Sequence, residues 1–230
     1  MSSLNFRKKF DFYDFGSYRG GSFRLAQSFG ARNGLGFEIN KNRVLRLAKA
    51  GIPCMQLDVT KVSLPKNSAN FIVMCHFLEH LDNEQQVFET LKKSIEAATD
   101  FIYIEGPSFD FDDYLKSLGF KFFWYDGCGH KTRVTVKMLR RIFVKLGIKD
   151  ISCFAEQPYV KDSKSDDIYP YDSGIHNTYC DKSFKKETVT FKKDVYRSFV
   201  MFAWLRKGVN KSKYTLTKRI KNKFNMRIEL

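Results

Sequence analysis

The eight residues MCHFLEHL, Met74–Leu81, hold His76 and His80, two of only four histidines in the chain, with Glu79 beside the second. On one helical turn these three side chains occupy positions i, i+3 and i+4 and leave from one face. Two imidazoles and a carboxylate so arranged suit a divalent cation: zinc, iron, manganese or cobalt, with magnesium less natural as the imidazole count rises. His130, in GHKTRVTVKML, is a fourth candidate ligand about fifty residues on. The same residues also suit a plainer role, ending a strand and starting the helix after it. Without a cation, His80 or His130 is the candidate general base, and Glu105 in YIEGPSF is a further acid on the same rim. His176 carries no assigned role.

An alternation of strands and helices must position these groups. FDFYDFGS, residues 10–17, reads as a short buried strand entering a turn, followed by a helix that Ser22 caps and Gly30 closes. NGLGFEIN is a second strand. Asn40 caps KNRVLRLAKA, with Val44, Leu45, Leu47 and Ala48 on one side, and Gly51 sits where a helix end turns left-handed. IPCMQLDV is the third strand, and the nearly wholly apolar NFIVMCHF is a fourth, covered on both faces. Asp82 with Gln85 resembles a capping box before the stripe Val87, Phe88, Leu91 and Ile95, and DFIYIEG is the fifth strand. Thr135 caps a helix facing inward through Leu139, Ile142, Phe143 and Leu146; KDISCFAEQ and VYRSFVMFAWL are the last strands. This order predicts an α/β fold, an open, mostly parallel, doubly wound sheet with ligands at the carboxyl ends of its first strands. The polar stretch 158–194 is an excursion, either a cover for a substrate site or a surface loop.

At those strand ends stands a second constellation. Asp14 and Gly16, then Gly20 and Gly21, lie between the first strand and first helix, where backbone must approach a ligand closely. Glu38 ends the second strand, where a carboxylate in a dinucleotide-type fold accepts hydrogen bonds from ribose hydroxyls. Asp58 ends the third, placed to accept from an adenine amino group while the Val59 amide meets the ring edge. Each acid alone suits a turn or a cap; three at successive strand ends form a pattern.

Over roughly residues 10–204 the chain resembles the class I S-adenosylmethionine-dependent methyltransferases. DFGSYRGG matches the glycine loop, GFEIN the ribose acid, LDVTKVSLP the adenine acid with its Leu-Pro turn, and NFIVMCHFLEHLDN the fourth strand. The resemblance implies a Rossmann-like, seven-stranded sheet with an antiparallel last strand. It implies S-adenosyl-L-methionine held by Asp14, Gly16, Ser17, Gly20, Glu38, Asp58, Val59 and His76. Tyr18 departs from the pattern, standing where the family usually has a middle glycine, and fewer than ten residues precede the first strand, where the family usually places helices over the cofactor. The expectations that follow are that Tyr18 folds over the methionine end and that residues 158–194 form the lid. A nicotinamide dehydrogenase shares a glycine loop and an acid, but has no counterpart to the adenine acid with SLP and then LEHL.

The histidine cluster is similar to two metal-dependent branches of that family, the ubiquinone-pathway O-methyltransferases and the small-RNA 3′-terminal 2′-O-methyltransferases. Their Glu-x-x-Glu-His reads here as His76-x-x-Glu79-His80, and the RNA branch adds a His-Lys followed by a Thr, similar to His130-Lys131 and Thr135. The resemblance implies a divalent metal ion on His76, Glu79, His80 and His130. His76 in place of the first Glu changes the charge of that set.

A chain of 230 residues, 43% hydrophobic and 16% aromatic, supports one folded domain, taken as residues 1–206. Five widely spaced cysteines without a CxxC pair argue against a disulfide framework and for a reducing, cytoplasmic setting. No apolar run approaches the ~20 residues of a membrane span, so a soluble protein is expected. About half of the net charge of +15 comes from the basic tail, residues 207–230 with Arg206 before it. There Leu216, Ile220, Phe224 and Ile228 recur every four residues, giving a helix with an apolar stripe between basic faces. Such a helix is either solvated or docks on anionic lipid or nucleic acid. Three functions follow: O-methylation of a small molecule or saccharide, favoured by the aromatic FKFFWYDG near the mouth; RNA methylation, favoured by the charge; and non-catalytic binding through the tail.

Overall fold

The computed structural model describes residues 9–126, 128–173, 186–215, 217–224 and 226–228. β1 (Phe10–Phe15) leads through the glycine loop into α1 (Gly21–Ser28), and β2 (Gly34–Glu38), α2 (Lys41–Lys49) and β3 (Cys54–Gln56) follow. β4 (Ala69–Cys75) runs into a single 3-10 turn, Leu78–His80, ahead of α3 (Glu84–Ala97) and β5 (Ala98–Pro107). Next come α4 (Asp112–Ser117), β6 (Phe120–Phe122), α5 (Val136–Lys145) and β7 (Ile151–Ala155). The short strands β8 (Val160–Asp162), β9 (Ile168–Pro170) and β10 (Thr190–Val195) precede β11 (Ser198–Trp204), and the chain continues into α6 (Lys211–Thr215), α7 (Lys218–Lys223) and β12 (Met226–Arg227).

The central sheet has the order β12-β7-β11-β5-β4-β1-β2-β3. It is parallel from β3 through β5, while β11 lies antiparallel between β5 and β7. This is the expected mostly parallel α/β sheet with an antiparallel strand. Among the described residues it has eight strands rather than seven, because Met226 and Arg227 pair with the outer edge of β7 and cover part of its free backbone row.

Both faces of the sheet are buried, which is why β4 and β11 carry apolar residues without alternation. One face packs against Val87 and Leu91 of α3 and Leu139, Ile142 and Phe143 of α5. The other packs against Phe23 and Ala26 of α1, Leu47 of α2, and Ile220 and Phe224 at the end of the chain. Leu45, expected on the inner side of α2 with Ala48, is exposed; Leu47 alone in that helix is fully buried. Ile220 and Phe224 of the tail stripe are therefore turned inward, in and just after the short α7 rather than on one continuous amphipathic helix; Leu216 lies outside the described residues.

Asn40 and Thr135 cap α2 and α5 as expected, their side chains accepting from backbone N–H groups in the first turn. Ser22 does not cap α1. Gly20, left-handed at φ 81°, takes that place, and the Ser22 hydroxyl turns back to Asp14. At α3 the cap moves one residue, to Asn83, whose Oδ1 accepts from Gln86 N while Gln86 Oε1 accepts from Asp82 N.

The excursion is a packed layer in its described parts. β9 pairs with β6 and β10 with β8, over a separate core of Phe109, Leu115, Phe122, Trp124, Ile168 and Phe191. Phe120, Phe122 and Trp124 of FKFFWYDG fill this core, with Phe122 and Trp124 stacked at 4.2 Å, while Phe123 is exposed and Tyr125 half-buried, so the stretch is only in part available to a mouth. Residues 174–185, His176 among them, lie outside the described residues. No helix among the described residues is long and apolar enough to cross a membrane.

Candidate active site

The strand order reverses between β1 and β4, and the crevice outside their carboxyl ends is where such sheets bind ligands. The turn after β1 is wound by left-handed residues: Gly16 at φ 73°, Tyr18 at 44° and Gly20 at 81°. A Cβ on Gly20 would stand 2.3 Å from Ile52 Cδ1, so the turn is closed to side chains there. Asp14 is fully buried; its Oδ2 accepts from Ser22 Oγ at 2.9 Å, while Oδ1 has no hydrogen bond. Burial pushes its pKa up to about 6, despite the hydroxyls of Ser22 and Ser17, with the Glu38 carboxylate adding to the rise. Ser17 Oγ donates to the Asp14 carbonyl at 3.1 Å.

Glu38 ends β2 with its oxygens accepting from Tyr18 N at 3.1 Å and Asn40 N at 3.0 Å, and Arg43 Nη1 lies 3.7 Å away. A carboxylate offers about four lone-pair sites, so acceptor capacity remains. Tyr18 turns toward α2, where the Arg43 guanidinium sits 4.5 Å from its ring centre, rather than toward the end of β4. Asp58 accepts from the amide and hydroxyl of Thr60 at 3.1 and 2.6 Å and faces Lys61 Nζ at 3.3 Å. Burial works against its charge, but those bonds and Lys61 prevail and its pKa is lowered. Val59 is buried against the core.

After β4 the backbone breaks at His76, which is left-handed at φ 49°. Its N–H donates to the Glu105 carbonyl at 2.8 Å, and the 3-10 turn then places Glu79 inward. Ligand atoms of Glu79, His80 and His130 lie within 4.8 Å of one another. His76 is not among them. Its left-handed backbone turns the ring to the outer side of Glu79, with Nδ1 3.4 Å from Oε1, and that carboxylate raises its pKa. Of the four expected ligands, three converge and His76 is their neighbour.

His130 reaches the cluster because residues 131–132 are stitched onto the turn. Lys131 N and Thr132 N donate to the Glu79 carbonyl at 2.8 and 3.1 Å, and Thr132 Oγ1 donates to the Leu81 carbonyl at 2.6 Å. Both imidazoles use Nδ1 on a backbone carbonyl, His80 on Gly129 and His130 on Trp124, each at 3.1 Å. A carbonyl only accepts, so Nδ1 carries the proton and Nε2 keeps its lone pair, as in metal-binding histidines. Burial lowers the His130 pKa, which keeps that ring neutral. Glu79 Oε1 is buried, with His76 Nδ1 at 3.4 Å as its polar neighbour. A buried carboxylate and two imidazoles whose ligand atoms lie within 4.8 Å of one another fit a divalent cation.

Residues 13–98 match a family model described as a methyltransferase domain. The matched segment runs from β1 into the start of β5 and holds the glycine loop, Glu38, Asp58 and the turn with Glu79 and His80. An S-adenosylmethionine-dependent methyltransferase from Archaeoglobus fulgidus is 21% identical, covering 86% of this chain and 87% of that one at a TM-score of 0.59. The YcgJ protein of Bacillus subtilis is 13% identical over 87% of this chain and 93% of its own, with a TM-score of 0.56. A methyltransferase from Methanosarcina mazei is 11% identical over 86% and 92%, at 0.53. At these identities the likeness is one of fold. No curated protein sequence matches the chain.

Beside the cluster of Glu79, His80 and His130 lies a surface cleft lined by Phe109, Tyr125, His130, Lys131, Arg133 and Met138 among others. Arg133 lies over the Tyr125 ring at 3.9 Å, giving the cleft a flat cationic wall. Glu105 is not a free rim acid. It is buried at the end of β5, clamped through both oxygens by Arg219 of α7, and accepts from Tyr103 OH at 2.8 Å. The sequence gives no sign of this pair, whose members stand 114 positions apart; the only local signal is that Arg219 directly precedes a residue of the apolar stripe.

Proposed function

We propose that the methyltransferase domain moves the sulfonium methyl group of S-adenosylmethionine to a hydroxyl oxygen of a small molecule or saccharide. The observation that carries this reading is the cluster of Glu79, His80 and His130, with both Nδ1 atoms anchored, at the same sheet edge as the glycine loop. When bound, S-adenosylmethionine supplies an electrophilic methyl carbon that reacts by in-line displacement. The protein's tasks are then to align the acceptor and to make it nucleophilic.

Asp14, Gly16, Ser17 and Gly20 form the backbone cradle for the cofactor, and the unsatisfied Asp14 Oδ1 is a ready acceptor there. Glu38 receives the ribose hydroxyls on its remaining lone pairs, and Asp58 with the Val59 amide takes the adenine edge. His76 follows at the end of β4. Glu79, His80 and His130 hold a divalent cation of the zinc, iron, manganese or cobalt type, which lowers the pKa of an acceptor hydroxyl when bound. The aromatic and cationic wall of Tyr125 and Arg133 orients the acceptor beside it.

RNA is the second acceptor class, favoured by the net charge of +15 and by Lys131 and Arg133 on the cleft. Binding of RNA with a steep salt dependence supports it; no binding at low salt removes it.

The test of the cation site is elemental analysis with thermal melting of the full chain. Wild type should hold about one ion and melt higher with added zinc, manganese or cobalt, since a ligand at ~100 times its Kd adds about 2.7 kcal/mol. Glu79→Gln, His80→Ala and His130→Ala should each lose the ion and the melting shift. A fully active, metal-free wild type would refute the cation.

A further inference from the structure

Along the carboxyl edge the parallel strands run β3, β2, β1, β4, β5, about 4.8 Å apart. If Asp58 takes the adenine and Glu38 the ribose, a cofactor laid along this edge crosses the Gly16–Gly20 turn and brings its amino-acid end to β4 and β5. The inference rests on that reading of the cofactor site. At β4 and β5 stand Cys75 and Glu105, register partners across the two strands, with Arg219 fixed on Glu105. Cys75 is partly buried, and desolvation with the nearby Glu105, Asp14 and Glu79 carboxylates raises its thiol pKa well above the usual while Arg219 opposes the rise. The amino-acid end of the cofactor therefore arrives among carboxylates, which suit its ammonium group, while its carboxylate needs a cation.

We propose that Arg219 is that cation, and that α6 and α7 are a wall of the cofactor site rather than part of a free basic tail. A guanidinium has five N–H donors in a rigid fork. Two of them, on Nε and one terminal nitrogen, bind the Glu105 oxygens, while the side chain stays 39% exposed. The Glu105 pair thus aims the fork and leaves donors on its free edge. Burial alone would favour losing the charge, but Glu105 more than offsets it and keeps the guanidinium protonated.

The segment is rigid enough to hold this aim. Ile220 and Phe224 are buried among Phe71, Phe101 and Phe202, and Tyr214 packs on Phe101 at 4.6 Å. Gln157 N donates to the Lys223 carbonyl at 2.8 Å, Lys223 Nζ sits 3.3 Å from Glu156, and β12 completes the sheet. The basic residues of the tail are set by an apolar face on one side and by acids at strand ends on the other.

Calorimetric titration of the full chain tests the assignment with two ligands: S-adenosylhomocysteine, and 5′-methylthioadenosine, which has the same nucleoside but no amino-acid group. The variant is the double Glu105→Gln/Arg219→Gln, which leaves no orphaned buried carboxylate. It should bind S-adenosylhomocysteine ~10- to 100-fold more weakly than wild type, the range for a lost charge-assisted hydrogen bond. Its affinity for 5′-methylthioadenosine should stay within about threefold. Equal losses for both ligands, or no loss for either, overturn the role of Arg219 while leaving the cofactor site standing. Failure of wild type to bind either ligand overturns the cofactor reading itself, and the proposal with it.

Discussion

Asp112, in the first turn of α4, keeps both carboxylate oxygens buried without a hydrogen bond, with Arg133 Nε 3.6 Å from Oδ2. Burial pushes its pKa up to about 7; the Arg133 charge opposes the rise without cancelling it, and neighbouring acids add to it. The folded pKa lies above the unfolded one, so the native state holds the extra proton between them. Stability contributed by this group is full below about pH 4 and is lost as pH rises through about 7. Asp112→Asn should therefore melt like wild type at pH 4 and higher than wild type at pH 8; a gap that shrinks with rising pH would contradict this. Nothing in the spacing of Asp110, Asp112 and Asp113 announces such a group, because its burial comes from elements distant in sequence. Glu79 and His80 were legible, being two adjacent residues on one turn. His76 was not, since the period of a helix cannot foresee a left-handed residue that rotates the ring out of the set.

At the scale of elements, local signals served where a side chain meets its own helix and failed where a neighbour competes for it. Thr135 caps α5 through Met138 N at 3.0 Å, a bond contained within four residues. Thr135→Ala should cost about 1 kcal/mol, a drop of about 2–4 °C in melting temperature for a chain of this size, and differential scanning calorimetry reads it directly. Thr135→Ser should restore most of the loss. Ser22 looked like the same device, but Asp14, buried eight residues earlier, takes its hydroxyl and Gly20 bends the chain in its place. The strands β8 and β9 escaped reading for another reason. Each has three residues in a polar stretch, too few to show alternation, and they exist through pairing with β10 and β6.

For the whole molecule, the apolar period in the basic tail left its destination open, and Ile220 and Phe224 of that period lie against the chain's own sheet. A stripe at i and i+4 says that one face of a helix is covered, without saying whether lipid, nucleic acid or the chain's own sheet covers it. Here the sheet does: Ile220 and Phe224 close the face left open beside α1 over Phe71, Phe101 and Phe202. The basic groups then remain outside or on acids, as Lys211 on Asp150 and Arg219 on Glu105. Phe224, with 0% of its surface exposed, is a core residue in every energetic sense. Phe224→Ala removes a fully buried ring and should cost about 3–5 kcal/mol, a fall in melting temperature on the order of 10 °C. A phenylalanine on a solvated tail would change stability by no more than about 0.5 kcal/mol on the same substitution. The two expectations differ several-fold, and a thermal melt of the single variant at neutral pH separates them. A shift below about 2 °C means that the tail leaves the sheet in solution, frees its apolar stripe for another partner, and takes Arg219 away from Glu105.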